Sequence, residues 1–150
     1  MKDLESMRKD LKRLFASQQL AVLATQHGGE PYTSLVAFTA RDDLKQLFFA
    51  TTRATRKYAN LTADSRVAML IDNRSNEATD FRWAMAATAI GKADEIEGHE
   101  KEEALKLYLA KHPHLEEFVS SPSCALLRFS VDRYYVASRF QKVIEVRVKP

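Results

Sequence analysis

The chain has 150 residues, of which 45% are hydrophobic and 29% are charged, and its formal net charge is +3 at pH 7. This length and balance predict one domain over residues 1–150 with a buried core, and they exclude a disordered chain. The small charge excess gives no reason to expect nucleic acid as a partner. The single cysteine, Cys124, excludes an intramolecular disulfide and a multi-cysteine zinc site, and its apolar neighbours predict a buried thiol.

Membrane segments are not predicted either. No apolar run approaches the roughly 20 residues that a membrane span requires. The first fifteen residues carry no signal-peptide pattern. We therefore expect a soluble cytoplasmic protein that has no membrane partner.

The first half of the chain predicts a leading helix followed by a three-stranded meander. Apolar residues recur at helical spacing between Leu4 and Phe15, with basic residues on the other faces. Three short apolar runs follow, separated by a glycine-containing turn and a polar break, and such signals are typical of antiparallel hairpins. We place these strands at residues 20–25, 32–40 and 47–51.

The second half predicts two more helices and four more strands. Ala54, Tyr58 and Leu61 recur at helical spacing, so a short helix is predicted from about Arg53 to Ala63. A second, exposed helix is predicted over residues 98–111, ended by a proline. The remaining strands are placed at residues 67–71, 83–96, 125–131 and 134–148.

The order of these elements predicts a fold of the α+β class that is mainly β. About seven short strands with tight turns favour a closed antiparallel barrel, because closure removes unpaired strand edges. Gly91 interrupts the long strand at residues 83–96 and predicts a bulge or a bend of the barrel there.

The segment from Thr51 to Lys57 has the composition of a phosphate site. It holds three hydroxyl groups and three cations at the predicted junction between a strand and a helix. The first turn of a helix has free N–H groups and a partial positive charge, so cations there oppose the dipole unless an anion is bound. Composition leaves two interpretations open, a phosphate site or the solvated face of a helix capped by Thr52.

Four stretches carry a resemblance to a known family. They lie at residues 47–52, 55–57, 66–70 and 90–93. With them the chain resembles the pyridoxamine 5'-phosphate oxidase-like FMN-binding split-barrel family, most closely over residues 20–97. The resemblance implies an FMN-binding split β-barrel, a Greek-key antiparallel barrel with about three peripheral helices.

The same resemblance implies the cofactor, the partner and the site residues. FMN is expected in a cleft between the two subunits of a homodimer, with its phosphate held by Thr55, Arg56 and Lys57. The strand that passes the flavin ring corresponds to residues 34–36, where main-chain groups do much of the binding. The implied cofactor-binding residues are Ser34, Leu35, Val36, Ala50, Thr51, Thr52, Thr55, Arg56 and Lys57.

The chain departs from pyridoxamine phosphate oxidases at the substrate site. Ser34 and Thr39 stand where those enzymes carry an arginine and a lysine, and Ala86 replaces a glutamine that contacts the flavin. The C-terminal Arg-x-His substrate motif has no counterpart around residues 132–135. We therefore do not expect oxidation of vitamin B6.

Aromatic and histidine side chains outside these stretches give weaker signals. Phe81 and Trp83 are interpreted first as core or dimer-interface residues, although they could flank the flavin ring from the second subunit. His112 and His114 beside Pro113 are typical of a surface loop, and no third ligand at metal-site spacing accompanies them. Arg139-Phe140, placed midway along the last strand, is a further candidate for reaching the dimer cleft.

The predicted function is that of an FMN-binding flavoprotein, an oxidoreductase acting on a small substrate that the sequence does not identify. FMN would carry the redox chemistry, and no catalytic side chain is predicted. Two alternatives stay open: a flavin-binding protein without turnover, and a split barrel that uses haem or a deazaflavin. No metal site is predicted.

Overall fold

The computed structural model describes residues 3–139 and 142–150. Its regular elements are, in chain order, α1 (Leu4–Ser17), β1 (Leu20–His27), β2 (Glu30–Ala40), β3 (Gln46–Thr52), α2 (Arg56–Ala63), β4 (Arg66–Asp72), α3 (Asp80–Trp83), β5 (Met85–Glu95), α4 (His99–Lys111), a 3-10 turn (Pro113–Leu115), α5 (Glu116–Ser120), β6 (Cys124–Ser138) and β7 (Lys142–Arg147).

Six antiparallel strands close into a barrel. The strands are hydrogen-bonded in the order β3-β2-β1-β4-β5-β6-β7, and an additional pairing of β3 with β6 closes the first six into a ring. β7 lies outside this ring and pairs with the second half of β6. The Greek-key split-barrel fold that the sequence predicts is therefore confirmed.

Two helices cover the barrel through their apolar faces. Met7, Leu11 and Leu14 of α1 are buried and join the main core, because the apolar stripe of this helix repeats at helical spacing. Tyr108 of α4 is also fully buried, and its hydroxyl donates a hydrogen bond to the Ala37 carbonyl at 3.1 Å. Cys124 is buried beneath the same helix, as predicted, and burial raises the pKa of its thiol.

Gly91 marks an irregularity in the barrel wall, as predicted. The register between β5 and β6 shifts between Ile90 and Gly91. A Cβ atom built at Gly91 would lie 2.0 Å from the Ser130 carbonyl oxygen and 2.9 Å from Cε1 of Phe129. The absence of a side chain therefore allows β5 and β6 to approach each other here.

Several predicted boundaries were wrong. α2 begins at Arg56 rather than near Arg53, because Thr55 is its N-cap residue. β6 is one strand of 15 residues, where the sequence pattern predicted two strands interrupted near residue 132. Two short helices, α3 and α5, add to the three that were predicted.

Three aromatic and basic positions also differ from expectation. Trp83 ends α3 instead of beginning β5. Arg139 lies in the turn after β6 with a φ of 48°, so it is not midway along a strand, and Phe140 lies outside the described residues. His112 is buried rather than part of a surface loop.

His112 closes the C-terminal end of α4 against the barrel. Its Nε2 lies 2.7 Å from the Phe38 carbonyl oxygen, whereas its buried Nδ1 has no hydrogen-bond partner in the described part of the chain. Burial lowers the pKa of this imidazole, so the neutral ring with a proton on Nε2 fits the site. The described helices include none that is long and apolar enough to cross a membrane.

Candidate functional site

β2 and β3 separate from each other at one end of the barrel. Their ladder consists of three pairs, from Ala40 with Leu47 to Phe38 with Phe49, and ends there. Residues 30–36 of β2 then pair only with β1, and residues 50–52 of β3 pair only with β6, within the described strands. We call this opening the β2–β3 split. Each of its sides presents main-chain N–H and C=O groups without a strand partner, and such groups need a hydrogen-bonding occupant or water.

The first turn of α2 touches both sides of the split. On the β3 side, the Thr55 and Thr51 hydroxyl oxygens are 2.8 Å apart. On the β2 side, the Arg56 guanidinium lies over the Tyr32 ring, 5.8 Å from its centroid. The start of α2 is therefore held at the mouth of the split.

Thr55 has a structural role in this turn. Its hydroxyl oxygen accepts a hydrogen bond from the Tyr58 N–H at 3.3 Å and lies 3.1 Å from the Thr52 carbonyl oxygen, to which it donates. Because a threonine hydroxyl has one proton, Thr55 could donate to a ligand only by giving up a bond within the chain. The backbone N–H groups of Arg56 and Lys57 have no acceptor within the described ranges.

The three cations of the predicted phosphate segment differ in whether a carboxylate of the chain compensates their charge. Arg53 donates to the Glu95 carboxylate at 2.6 Å and to the Pro122 carbonyl at 2.8 Å, so its charge is already compensated. Arg56 and Lys57 form no ion pair with any carboxylate in the part of the chain that the structure describes. Two uncompensated cations at a helix start, beside free N–H groups, are the composition of an anion site.

The ion pair of Arg53 also fixes the base of α2. The hydrogen bond from Arg53 is the main reason why the pKa of Glu95 is lowered. Tyr58 donates its hydroxyl proton to the same carboxylate at 2.6 Å, and this hydrogen bond raises the pKa of the phenol. Of the three cations in the predicted phosphate segment, Arg53 therefore has a structural role, whereas Arg56 and Lys57 can contact a ligand.

The predicted positions on the strands differ in what they expose. Ser34 has a buried hydroxyl without a hydrogen-bond partner among the described residues, and Leu35 is 64% exposed on the outer face. The side chains of Val36, Ala50 and Thr51 are buried, so contacts to a ligand from these residues would come mainly from their main chains. Thr52 is half-buried at the end of β3.

Sequence reasoning missed three features of this site. The unpaired edge of β2 has no local signature, because the residues on both sides have ordinary strand composition. The contact of Tyr32 with Arg56 joins residues far apart in the sequence and could not be predicted. The pairing of Arg53 with Glu95 was equally hidden, although an N-cap at Thr55 would have placed Arg53 before the helix.

The histidines do not contribute metal ligands to this site. No group of three or more potential metal-binding side chains occurs within residues 3–139 and 142–150. His27, His99 and His114 are exposed, and the Phe38 carbonyl oxygen accepts a hydrogen bond from His112.

Comparison with solved structures shows the same fold in proteins of low sequence identity. A haem-binding protein from Mycobacterium smegmatis matches with a TM-score of 0.84 and 17% identity over 99% of this chain and 59% of its own. Campylobacter jejuni ChuZ matches with a TM-score of 0.82 and 11% identity over 98% of this chain and 61% of its own. The chain therefore spans about three fifths of the length of these two proteins.

A FAD-binding protein from Mesorhizobium loti is also similar, with a TM-score of 0.68 and 14% identity over 85% of this chain and 90% of its own. No curated protein matches the chain by sequence. The family model described as pyridoxamine 5'-phosphate oxidase matches residues 7–137. Since this match covers most of the sequence, the chain belongs to the pyridoxamine 5'-phosphate oxidase family.

Proposed function

We propose that the chain binds FMN in the β2–β3 split, with the phosphate at the start of α2. The observation that carries this proposal is the pair of uncompensated cations, Arg56 and Lys57, beside free N–H groups at the mouth of the split. A phosphate would neutralise both cations and accept from the helix N-terminus. The family membership and the FAD-binding neighbour support a flavin as the ligand.

The strands on either side of the split suit the rest of the cofactor. The main-chain groups of residues 30–36 that face the split can form hydrogen bonds with the polar edge of a flavin ring. The buried Ser34 hydroxyl has no partner among the described residues, so it can also form a hydrogen bond with the ring. When bound, FMN supplies hydride or electron transfer. The chain would bind and orient it, acting as an oxidoreductase on a small substrate.

The test is a titration of the flavin-free protein with FMN, with riboflavin as the control that lacks the phosphate. We expect FMN to bind tightly, with quenching of its fluorescence, and riboflavin to bind at least about tenfold more weakly, since it cannot use the two cations. Equal affinities for the two flavins would contradict the phosphate assignment.

The same sample separates turnover from simple binding. NADH or NADPH added without oxygen should bleach the visible absorbance of bound FMN if the protein is an oxidoreductase that takes electrons from nicotinamide. Bound FMN that is reduced by dithionite but by neither nucleotide would instead favour a flavin-binding protein without this activity.

Haem is the second candidate ligand, because the neighbour from Mycobacterium smegmatis is a haem-binding protein. Haem binding requires an accessible axial ligand. His112 is committed to the Phe38 carbonyl, which leaves the exposed His27, His99 and His114 as the described histidines. A Soret band on addition of haemin to the flavin-free protein, with no response to FMN, would favour haem over flavin.

We also propose that the protein is a homodimer with the flavin between its subunits. Leu35, Val22 and Leu70 lie side by side on the outer face of β2, β1 and β4, because they are register partners. Leu35 and Leu20 on this face are both more than half exposed. Monomers rarely leave such a contiguous apolar patch in water, and the patch adjoins the β2–β3 split.

A charge placed in this patch should separate the subunits. In sedimentation equilibrium we expect the wild-type protein to have about twice the 17.1 kDa mass of one chain. The Val22→Glu variant should have the mass of one chain, because the dimer would bury its carboxylate without a partner. The control is Ala110→Glu, which adds the same charge to the exposed surface of α4. A wild-type protein that sediments as a monomer at micromolar concentration would contradict the dimer.

A further inference from the structure

A small cavity lies between α1, α4 and the loop that joins β2 to β3. Its volume is about 230 Å³. At about 30 Å³ for each water-sized group, this space holds roughly seven or eight such groups, fewer than a drug-sized ligand has. The cavity lies outside the β2–β3 split, because its β2 residues, Thr39 and Ala40, are paired with β3.

The loop between β2 and β3 holds one wall of this cavity in place. Leu44 of the loop is buried with a φ of 65°, a left-handed backbone conformation that a leucine adopts only when its surroundings impose it. Its carbonyl oxygen accepts a hydrogen bond from the Tyr134 hydroxyl at 2.6 Å, and its N–H donates to the Arg41 carbonyl at 3.0 Å. The cavity is therefore a preformed part of the fold.

Lys111 of α4 places a half-buried ammonium group at this cavity. Its Nζ donates to the Phe15 carbonyl oxygen at 2.8 Å and lies 3.8 Å from the centroid of the Phe38 ring. No carboxylate of the described residues pairs with it. Because an ammonium group has three N–H donors, at least one is left for a ligand. A charge that is partly removed from water without a counter-charge favours an anion beside it.

The other polar groups of the lining favour the same kind of ligand. Thr39 is only 4% exposed, and its hydroxyl forms no hydrogen bond within residues 3–139 and 142–150. Lys12 and Arg41 also line the cavity, and the Arg41 guanidinium donates to the neutral Gln46 amide at 2.8 Å. Asp42 is the one carboxylate among the described lining residues, so three cations leave an excess of two positive charges.

The remainder of the lining is apolar. It consists of the side chains of Phe15, Ala16, Ala40 and Leu44. A ligand with a hydrocarbon part would remove this surface from water, and its burial would contribute to affinity. Inorganic phosphate would leave the same surface without an apolar contact. The lining therefore suits a molecule that joins one negative charge to a short hydrocarbon chain.

From these contacts we infer that the cavity binds a short aliphatic monocarboxylate. Lys111 and Thr39 supply an ammonium and a hydroxyl donor for its two oxygens, and the apolar walls contact its hydrocarbon chain. Although Thr39 stands where the oxidases carry a substrate-site lysine, it lies within the β2–β3 ladder and not in the split. None of the lining residues takes part in the proposed FMN site. The two assignments can therefore fail independently.

An NMR titration of the isotope-labelled, flavin-free protein with butyrate tests this inference. Butyrate should shift the amide resonances of residues 39–44 and of Lys111 saturably. Uncharged butyramide should bind at least about tenfold more weakly, since it offers Lys111 no charge. Inorganic phosphate should also bind more weakly, because it has no hydrocarbon part. Shifts that do not saturate, or an equal affinity for butyramide or for phosphate, would overturn the inference.

The pH dependence of butyrate binding gives a second readout. Burial lowers the pKa of Lys111 to about 8. The other charged or titratable groups around the cavity are Lys12 of α1, Arg41 and Asp42 after β2, and His112 beside Lys111. Because the anion pairs with the protonated amine, its affinity should fall about tenfold between about pH 7 and about pH 9 as Lys111 loses its proton. A constant affinity over this range would show that the carboxylate does not lie at Lys111.

Matched variants locate the binding. Lys111→Gln should weaken butyrate binding about tenfold or more, whereas Lys106→Gln removes the same charge from the exposed surface of α4 and should leave it unchanged. Thr39→Val keeps the shape of the side chain without its hydroxyl and should weaken binding about threefold. FMN affinity should not change in any of these variants. Equal losses in Lys111→Gln and Lys106→Gln would overturn the assignment. If Lys111→Gln did not fold, Thr39→Val and the comparison of butyrate with butyramide would still decide it.

Discussion

Replacement of both Arg56 and Lys57 by alanine is expected to weaken FMN binding about 100-fold, which corresponds to about 3 kcal/mol, with little change in riboflavin affinity. Both side chains lack a carboxylate partner in the described structure, so a phosphate would be their counterion. Their removal should also cost little stability, because neither side chain is committed to a protein partner by hydrogen bonding. Fluorescence titration with both flavins measures the two affinities.

The control for this prediction is a variant with the same loss of charge at a distance. Lys12 and Lys106 are exposed on α1 and α4, and their joint replacement by alanine should leave FMN affinity unchanged. If the Arg56/Lys57 variant folds, as circular dichroism would show, and binds FMN as tightly as the wild-type protein, the phosphate does not lie at α2. An equal loss in the control would indicate only a long-range effect of net charge.

The barrel itself could be predicted from the sequence, because apolar and polar residues alternate along some of its strands and turn residues bound the others. Gly91 was predictable as an irregularity, since glycine weakens a strand of apolar residues and is typical of places where the strand bends or another backbone comes close. The continuous β6 was not predicted, because the polar residues Asp132 and Arg133 have the composition of a turn. Both lie within the strand in the structure. In this strand the pairing with β5 and β7 overrides local composition.

The candidate site was predictable only in part, for a similar reason. The conflict between cations and the helix dipole indicates an anion near α2, and Arg56 and Lys57 are indeed without counterions among the residues described there. Composition could not show that Arg53 pairs with Glu95, 42 residues further along the chain. It also could not show that β2 pairs with β3 only from Phe38 onwards, since a gap in a ladder depends on the tertiary arrangement of both strands.

A cleft lined by α1, α3 and β7, at the end of the barrel opposite α2, could be predicted even less from the sequence. Arg13, Arg82 and Lys142 lie far apart in the sequence, and each alone is typical of a solvated surface. Only the meeting of α1, α3 and β7 brings them to one rim. A site whose members come from distant segments has no sequence motif, and its chemistry follows from the fold.

Gly91→Ala is expected to reduce the free energy of unfolding by about 3 kcal/mol or more. The new methyl group would lie 2.0 Å from the Ser130 carbonyl oxygen, which belongs to the backbone of β6 and cannot rotate away. Normal contact requires β5 and β6 to separate by more than about 1 Å, and this would strain the ladder that closes the barrel. Urea denaturation followed by circular dichroism measures the loss.

Gly28→Ala is the matched control, because it adds the same methyl group at a glycine in open space. Gly28 has a φ of +58° and no atom within 4 Å of a built Cβ, so this substitution should cost only about 1–2 kcal/mol of backbone strain. Comparison of the two variants separates the cost of the steric clash from the cost of backbone strain. If Gly91→Ala were no less stable than Gly28→Ala, the close approach of β5 and β6 would not be a constraint on the fold, and the register shift at Gly91 would need another cause.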